Sequence, residues 1–276
     1  MSSADMDAWA TALAAARSLL FVPGHRPDRY DKAVAAGADG VVIDLEDAVA
    51  PEGKDAARAE VAAWLTEGGR AVVRINAPGT PWFEADLAMA AAHGVPLMLP
   101  KAEDPAVPEA IALETRGRSP VLALIETAAG VENAASLCRA PNVLRAAFGN
   151  VDLSAQLGVD PADHQALAYA RSRVVCASAA AGLALPLDGV TTDLNDAEPL
   201  SGDIAHARRM GFTGKLCIHP CQLDAVHKGF APSTAERAWA RRVLGAGEAV
   251  SVVDGRMVDR PVVERARRIL EAAARD

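Results

Sequence analysis

The run Val41-Val42-Ile43-Asp44-Leu45-Glu46-Asp47 sets three carboxylates within four positions behind a β-branched stretch. A buried strand that ends in clustered acid needs compensation, because like charges in a low-dielectric site raise one another's pKa. Either a cation sits there or basic side chains converge from elsewhere; a polar loop whose acids point into water is the third reading. Two further acids stand in comparable places. Glu126 directly follows Leu122-Ala123-Leu124-Ile125, so its carboxylate emerges from a buried strand. Asp152 comes just after Phe148-Gly149, where glycine allows a tight turn and backbone close to a ligand. On adjacent strands these two acids would lie close together. Two carboxylates completed by water and substrate oxygens are the usual surroundings of Mg2+, a hard octahedral cation. The alternatives are a salt bridge for Glu126 and a helix N-cap for Asp152. Arg74 ends a Val-Val-Arg-Ile run, where alternation turns it to the same face as Val72. An arginine inside a core must meet an anion, either a substrate carboxylate or Asp44 or Glu46.

The elements that must position these residues follow from the pattern around them. Short apolar runs at Leu19–Val22, Gly40–Asp44, Ala71–Ile75, Val95–Leu99, Val121–Ile125, Leu144–Phe148, Ala184–Leu187 and Lys215–Ile218 read as strands. Longer alanine-rich helical patterns separate them, at Asp28–Ala36, Lys54–Leu65, Phe83–Ala92, Ala129–Leu137 and Ala166–Ala181. Strands alternating with helices imply parallel βαβ units, and eight of them close into an α/β, (β/α)8 TIM barrel. An open doubly wound sheet is the competing architecture, but no Gly-x-Gly-x-x-Gly follows the first strand. In a barrel the chemistry gathers at the carboxyl ends of the strands. Those ends carry Pro23-Gly24-His25, the acids after Ile43, Arg74 and Asn76, Lys101, Glu126, Asp152, Asp188 and His219. The opposite ends are mostly glycine, alanine, proline or a lone charge. Behind the barrel pattern, Asp254-Gly255 between β-branched stretches signals a hairpin, followed by an amphipathic helix. The expected organisation is a flexible extension over 1–16, a catalytic barrel over 17–245 and a C-terminal hairpin-helix flap over 246–276.

Composition narrows the class. The net charge of −8 and pI near 5.3 argue against a nucleic-acid footprint. No apolar run approaches the roughly 18 residues of a membrane span, and the stretch before Arg17 resembles neither a secretory signal nor a transit peptide. Four cysteines without a disulfide framework suggest a reducing, cytoplasmic setting. Cys217-x-His219-x-Cys221 has a metal-like spacing but no second pair nearby, and His219 before Pro220 reads as an anchor of the last loop.

Together these motifs carry a resemblance. Arg17-Ser18-Leu19-Leu20-Phe21-Val22-Pro23-Gly24, Asp44-Leu45-Glu46-Asp47-Ala48-Val49, Val73-Arg74-Ile75-Asn76, Leu99-Pro100-Lys101, Ile125-Glu126-Thr127, Asp152-Leu153 and Lys215-Leu216-Cys217-Ile218-His219-Pro220 resemble, in matching order, the citrate lyase β-subunit family. The resemblance extends to malyl-CoA and citramalyl-CoA lyases and covers roughly Arg17 to Ala266. It implies a Mg2+-dependent carbon–carbon lyase on a barrel, commonly trimeric or hexameric with flaps exchanged between subunits. Its partners would be an acyl-CoA and a 2-oxo acid such as oxaloacetate, glyoxylate or pyruvate. The metal ligands map onto Glu126 and Asp152, and the substrate-carboxylate arginine onto Arg74. Glu46 and Asp47 map onto a pair that holds metal-bound water, leaving Asp44 to brace the strand end or pair with Arg74. Asp259 matches an acid brought from a neighbour's tail, although a hairpin or helix cap is its plainer reading. Pro23, Arg17, Arg29 and Lys32 are the family-like contacts for the substrate and its coenzyme A. His25 replaces an acidic or polar residue often found in the family's first loop. Two other activities share the pattern: an acyl-carrier-dependent subunit of citrate lyase, and a thioesterase acting on malyl-CoA-like esters.

Overall fold

A computed structural model of the chain describes residues 3–246 and 251–274. Residues 1–2 of the expected extension and 247–250 and 275–276 of the expected flap lie outside that range. The chain divides into two units, Met1–Val226 and His227–Asp276.

The first unit is a closed barrel of eight parallel strands in sequential order. They are β1 Ser18–Pro23, β2 Gly40–Asp44, β3 Val72–Arg74, β4 Leu97–Leu99, β5 Val121–Ile125, β6 Val143–Phe148, β7 Ala184–Asp188 and β8 Gly214–Cys217. All eight expected strands form, with ends differing by one to two residues in most. The helices are α1 Ser3–Ala15, α2 Tyr30–Ala35, α3 Lys54–Thr66, α4 Phe83–His93, α5 Ala106–Glu114, α6 Ala128–Arg139, α7 Asn150–Leu157, α8 Ala168–Ala180, α9 Ala197–Met210 and α10 Leu223–Phe230, the last running into the second unit. Inward positions recur with period two. Leu19, Val42, Val72, Met98, Leu122, Leu124, Ala147, Leu187 and Leu216 fill one continuous core. A side-chain-filled interior makes the barrel a packed scaffold rather than a pore.

The segment read as a flexible extension is helical, because it plugs the amino-terminal mouth of the barrel. Leu13 and Ala16 are buried in the same core cluster, with Trp9 packed beside them. Arg145 fixes this plug. Its guanidinium donates to the carbonyls of Leu13, Ala16 and Leu185 and to Thr213 Oγ1 at 2.7–3.1 Å. It thereby adds a second partner to Leu13 O, which also accepts from Ala16 N at 3.3 Å, and ties down the turn after α1.

The second unit starts earlier than the expected boundary at 246. It contains α11 Thr234–Gly245, the hairpin of β9 Ser251–Val253 and β10 Arg256–Val258, and α12 Arg260–Ala273. Ala240 and Val243 of α11 pack with Val258, Val263 and Ala266 in a separate small core, which is why α11 groups with the tail. The Asp254-Gly255 turn forms as expected, with φ of +51° and +73°. That pair of left-handed residues is the two-residue turn that matches the twist of a hairpin. Among the described residues no helix is long and apolar enough to cross a membrane.

Candidate active site

Strand register brings the first charged pair together. Asp44 and Arg74 are the closing residues of neighbouring strands and stand directly opposite each other. Arg74 Nε and Nη2 donate to Asp44 Oδ1 and Oδ2 at 2.7 and 2.6 Å, a bidentate fork with both partners buried. Asp44 also accepts from the backbone N–H groups of Glu46 and Ala48 at 2.8 and 3.1 Å. Its four bonds leave no lone pair for a ligand. Asp44 therefore braces the strand end and folds the acidic loop, as its pairing with Arg74 suggested. This fork also means that Arg74 cannot offer its Nε–Nη2 edge to a substrate. The Nη1 end remains, 3.0 Å from Glu46 Oε2 and 3.5 Å from Asp47 Oδ2. The guanidinium carbon lies 5.0 Å from the Phe21 ring centroid, which fixes its plane.

Glu46 is buried between two cations. Its Oε1 pairs with the ammonium of Lys101, while Oε2 has the Arg74 contact but no aligned hydrogen-bond donor. Burial raises its pKa, with Arg74 and Lys101 opposing the rise. Lys54 supports the loop from below, donating at 2.9 Å to the carbonyls of Leu45 and Glu46 with its ammonium 5.1 Å from the Trp82 ring centroid. Asp47 is the exposed member of the cluster, with 56 % of its side chain accessible.

Glu126 emerges from β5 opposite the turn after β6, since Ile125 pairs with Phe148. Gly149 is required there. A Cβ at that residue would lie 2.3 Å from Glu126 Cβ and 2.7 Å from its Oε2. Glu126 Oε1 accepts the backbone N–H of Lys101 at 2.8 Å. Burial, followed by the charges of Glu46 and Asp152, pushes the Glu126 carboxyl up to about 8. Asp152 lies in the first turn of α7, which begins at Asn150 behind Gly149, so it is not the helix cap. Asn150 ties that turn to the loop after β7, bonding both the N–H and the C=O of Val190 at 2.9 and 3.1 Å.

Glu126, Asp152, Asp44, Asp47 and Arg74 all line one cavity of about 410 Å3 at the carboxyl ends of the strands. Its other walls are largely apolar, among them Phe21, Pro23, Leu124, Phe148, Val190 and Leu216. Arg74 is the single cation among the described lining residues. The donor set fits a hard divalent cation. It is all oxygen, and it holds a buried carboxyl whose pKa burial raises, a group that a cation would bring back to the carboxylate. Among the described residues no cluster of three or more His, Cys, Asp or Glu encloses a metal.

Not every expected residue reaches the cavity. Arg17 precedes β1 and sits at the amino-terminal mouth, where its carbonyl accepts from Lys215 N at 2.8 Å and its N–H donates to Asp39 Oδ2 at 2.7 Å. A strand carries its two ends to opposite mouths, so Arg17 is not a pocket residue. Arg29 and Lys32 are exposed on the segment after β1, on the carboxyl side. Asp188 is fully buried and taken up by Arg171 and Lys215 at 2.9 and 3.4 Å. His219 caps the turn after β8, its Nδ1 accepting from Cys221 N at 3.2 Å. Burial pushes the neighbouring Cys217 thiol up to about 12, which opposes a zinc thiolate there. In the second unit, Asp259 caps α12, its Oδ1 accepting from Val262 N at 3.3 Å. Lys101, Lys54 and Asn150 also shape the site. For Lys101 the sequence does carry a signal, a lysine two residues past a strand end with Glu46, Asp47 and Glu126 near it.

Comparison with known proteins accords with this geometry. The HpcH/HpaI aldolase/citrate lyase family matches residues 17–220. A citrate lyase subunit beta-like protein of Deinococcus radiodurans is 39% identical over 280 residues, covering 94% of this chain and 97% of that one. A (3S)-malyl-CoA thioesterase of Cereibacter sphaeroides is 36% identical over 270 residues, covering 93% and 94%. The crystal structure of CitE from Mycobacterium tuberculosis in complex with magnesium, acetoacetate and coenzyme A superposes with a TM-score of 0.82. It is 37% identical and covers 94% of this chain and 98% of its own.

Proposed function

The chain belongs to the HpcH/HpaI aldolase/citrate lyase family, and we propose that it is a Mg2+-dependent carbon–carbon lyase of β-hydroxyacyl-CoA thioesters bearing one free carboxylate, such as malyl-CoA or citramalyl-CoA. The observation that carries this reading is the cavity wall, where Arg74 is the single cation beside the acids Glu126, Asp152, Asp47 and Asp44, amid apolar side chains. One cation suits one substrate carboxylate. A citryl thioester would bring more negative charge than the lining can meet, which disfavours the acyl-carrier-dependent citrate lyase subunit.

Glu126 and Asp152 would hold Mg2+, with Glu46 and Asp47 orienting water around it. When bound, the ion supplies Lewis acidity that eases loss of the hydroxyl proton and stabilises developing negative charge on oxygen. Arg74 Nη1 meets the substrate carboxylate and holds the β-carbon against the acids. The hydroxyl proton passes to a carboxylate of the cavity wall, with Asp47 the exposed one, the bond between the α- and β-carbons breaks, and the electron pair passes into the thioester as an enolate. The β-carbon departs as the carbonyl of a 2-oxo acid. Asp259, offered from the tail of a neighbouring copy in a homotrimer, protonates the enolate carbon to give the shorter acyl-CoA. Pro23 lines the entrance, and Arg29 and Lys32 supply positive charge for the coenzyme A phosphates. The apolar wall excludes water from the enolate.

The second reading is a thioesterase, favoured by the 36% identical relative of that name. Product analysis separates the two. Incubating the purified protein with Mg2+ and malyl- or citramalyl-CoA should yield acetyl-CoA with glyoxylate or pyruvate. Free CoA with malate or citramalate as the products would instead establish the thioesterase, and no turnover of any such ester would exclude both.

The raised Glu126 pKa gives the site a pH dependence of definite sign. The group titrates in the unfolded chain near 4.5 and in the folded chain near 8. Between those values the metal-free fold holds a proton that the unfolded chain releases. Its contribution to stability is complete below pH 4.5 and is lost as pH rises through 8. A cation requires the carboxylate, so Mg2+ affinity should rise about tenfold per pH unit up to pH 8 and then level off. Titration calorimetry at several pH values checks this; a flat profile below pH 8 contradicts it.

A further inference from the structure

We infer that Lys101 is a positioning residue that fixes one carboxylate oxygen of each of two acids, Glu126 in the pocket wall and Glu46 beside it, an inference that rests on the metal reading above. Lys101 has φ +46°, in the left-handed region that residues with a Cβ seldom adopt. Such a conformation persists only where surrounding contacts over-determine it. Two contacts do so. The backbone N–H donates to Glu126 Oε1 at 2.8 Å, and the ammonium pairs with Glu46 Oε1. Glu46 follows β2 and Glu126 follows β5, so they are not on adjacent strands. Lys101, after β4, stands between them and takes one oxygen from each through two different groups.

The oxygens left over are the informative ones. Glu126 Oε2 accepts no hydrogen bond from the described residues and faces the space that Gly149 leaves clear. Glu46 Oε2 is buried with no aligned donor. Glu126 thus keeps Oε2 for the ion or its water, Glu46 keeps Oε2 beside Arg74 Nη1 at 3.0 Å, and neither carboxylate can rotate without losing its bond to Lys101. Glycine at 101 would adopt this backbone at no steric cost. Lysine accepts the strain and adds the ammonium, which glycine cannot supply. The two halves of the residue should therefore be separable.

The test compares Lys101→Gly with Lys101→Val by metal-free crystal structures, Mg2+ calorimetry and steady-state kinetics. Glycine keeps the left-handed N–H and removes the ammonium. Valine, β-branched, disfavours the left-handed backbone and removes both; threonine replaces it should that variant fail to fold. In Lys101→Gly, residue 101 N should still hold Glu126 Oε1, with Mg2+ affinity within about threefold of wild type. Glu46 should move and kcat should fall about tenfold at little change in KM, the scale of a lost supporting hydrogen bond. In Lys101→Val the bond to Glu126 should break and Mg2+ affinity should fall at least about tenfold further. Glu126 unmoved in the valine or threonine crystals, or Glu46 unmoved with kcat unchanged in Lys101→Gly, overturns the inference. A wild-type protein that binds no Mg2+ overturns the functional reading instead, while the metal-free crystals still decide whether Lys101 holds the two acids.

Discussion

Glu126→Gln is expected to lower turnover by about a thousandfold while leaving the fold intact. The substitution keeps the shape and the bond from Lys101 N, since a glutamine oxygen accepts as a carboxylate does. What it removes is the charge that the proposed metal site offers the ion. A metal clamp contributes several kcal/mol to a transition state, and about 1.4 kcal/mol is a factor of ten. Mg2+ affinity should fall with activity, since the same group supplies both. The stability of the metal-free protein should move the other way at high pH. Above pH 8 the wild-type carries a buried charge at this position that glutamine does not, so the variant should melt later there. Calorimetry, kinetics and melting at pH 9 give three independent readings. A variant retaining a tenth of wild-type activity, or unchanged Mg2+ affinity, would remove Glu126 from the metal site.

Arg74→Met should be the most damaging change to the scaffold itself. Arg74 compensates Asp44 and Glu46, both buried, and its loss strands them. Removing one partner of a buried ion pair costs about 3–5 kcal/mol, because the other charge is left without compensation. Denaturant unfolding should show that loss, and lyase activity should disappear with the substrate carboxylate's partner. The double variant Arg74→Met with Asp44→Asn separates the roles. It should recover part of the stability, since the stranded charge is gone, and none of the activity. Recovery of activity in the double variant would show that Arg74 serves the strand ends alone.

The barrel was legible in the sequence because its strands are short continuous apolar runs separated by long helical patterns, and the connections leave one parallel arrangement open. The site acids were legible because a charge placed directly after a buried run has few places to go. Glu126 and Asp152 both reach the cavity for this reason. Arg74 was legible as inward-facing by alternation with Val72. Other features were not. Arg17, offered by the family resemblance as a coenzyme A contact, precedes β1 and so sits at the mouth opposite the pocket, which only the tertiary structure shows. The N-terminal segment reads as loose by composition, yet Leu13 and Ala16 are buried and Arg145 holds their carbonyls across more than a hundred residues of chain.

Sequence alone therefore determined the barrel and placed the acids and the arginine at the strand ends that line the cavity, because local hydrophobic pattern and strand-end position specify those. Tertiary structure decided how the charges are shared. The register that sets Asp44 opposite Arg74 commits one edge of the guanidinium to the scaffold and leaves only Nη1 for a ligand. The left-handed turn at Lys101 and the bare face of Gly149 decide which oxygens of the opening acids stay available. Such choices depend on distances between strands far apart in the chain, and a hydrogen bond gained or lost over a few tenths of an ångström has no counterpart in residue order.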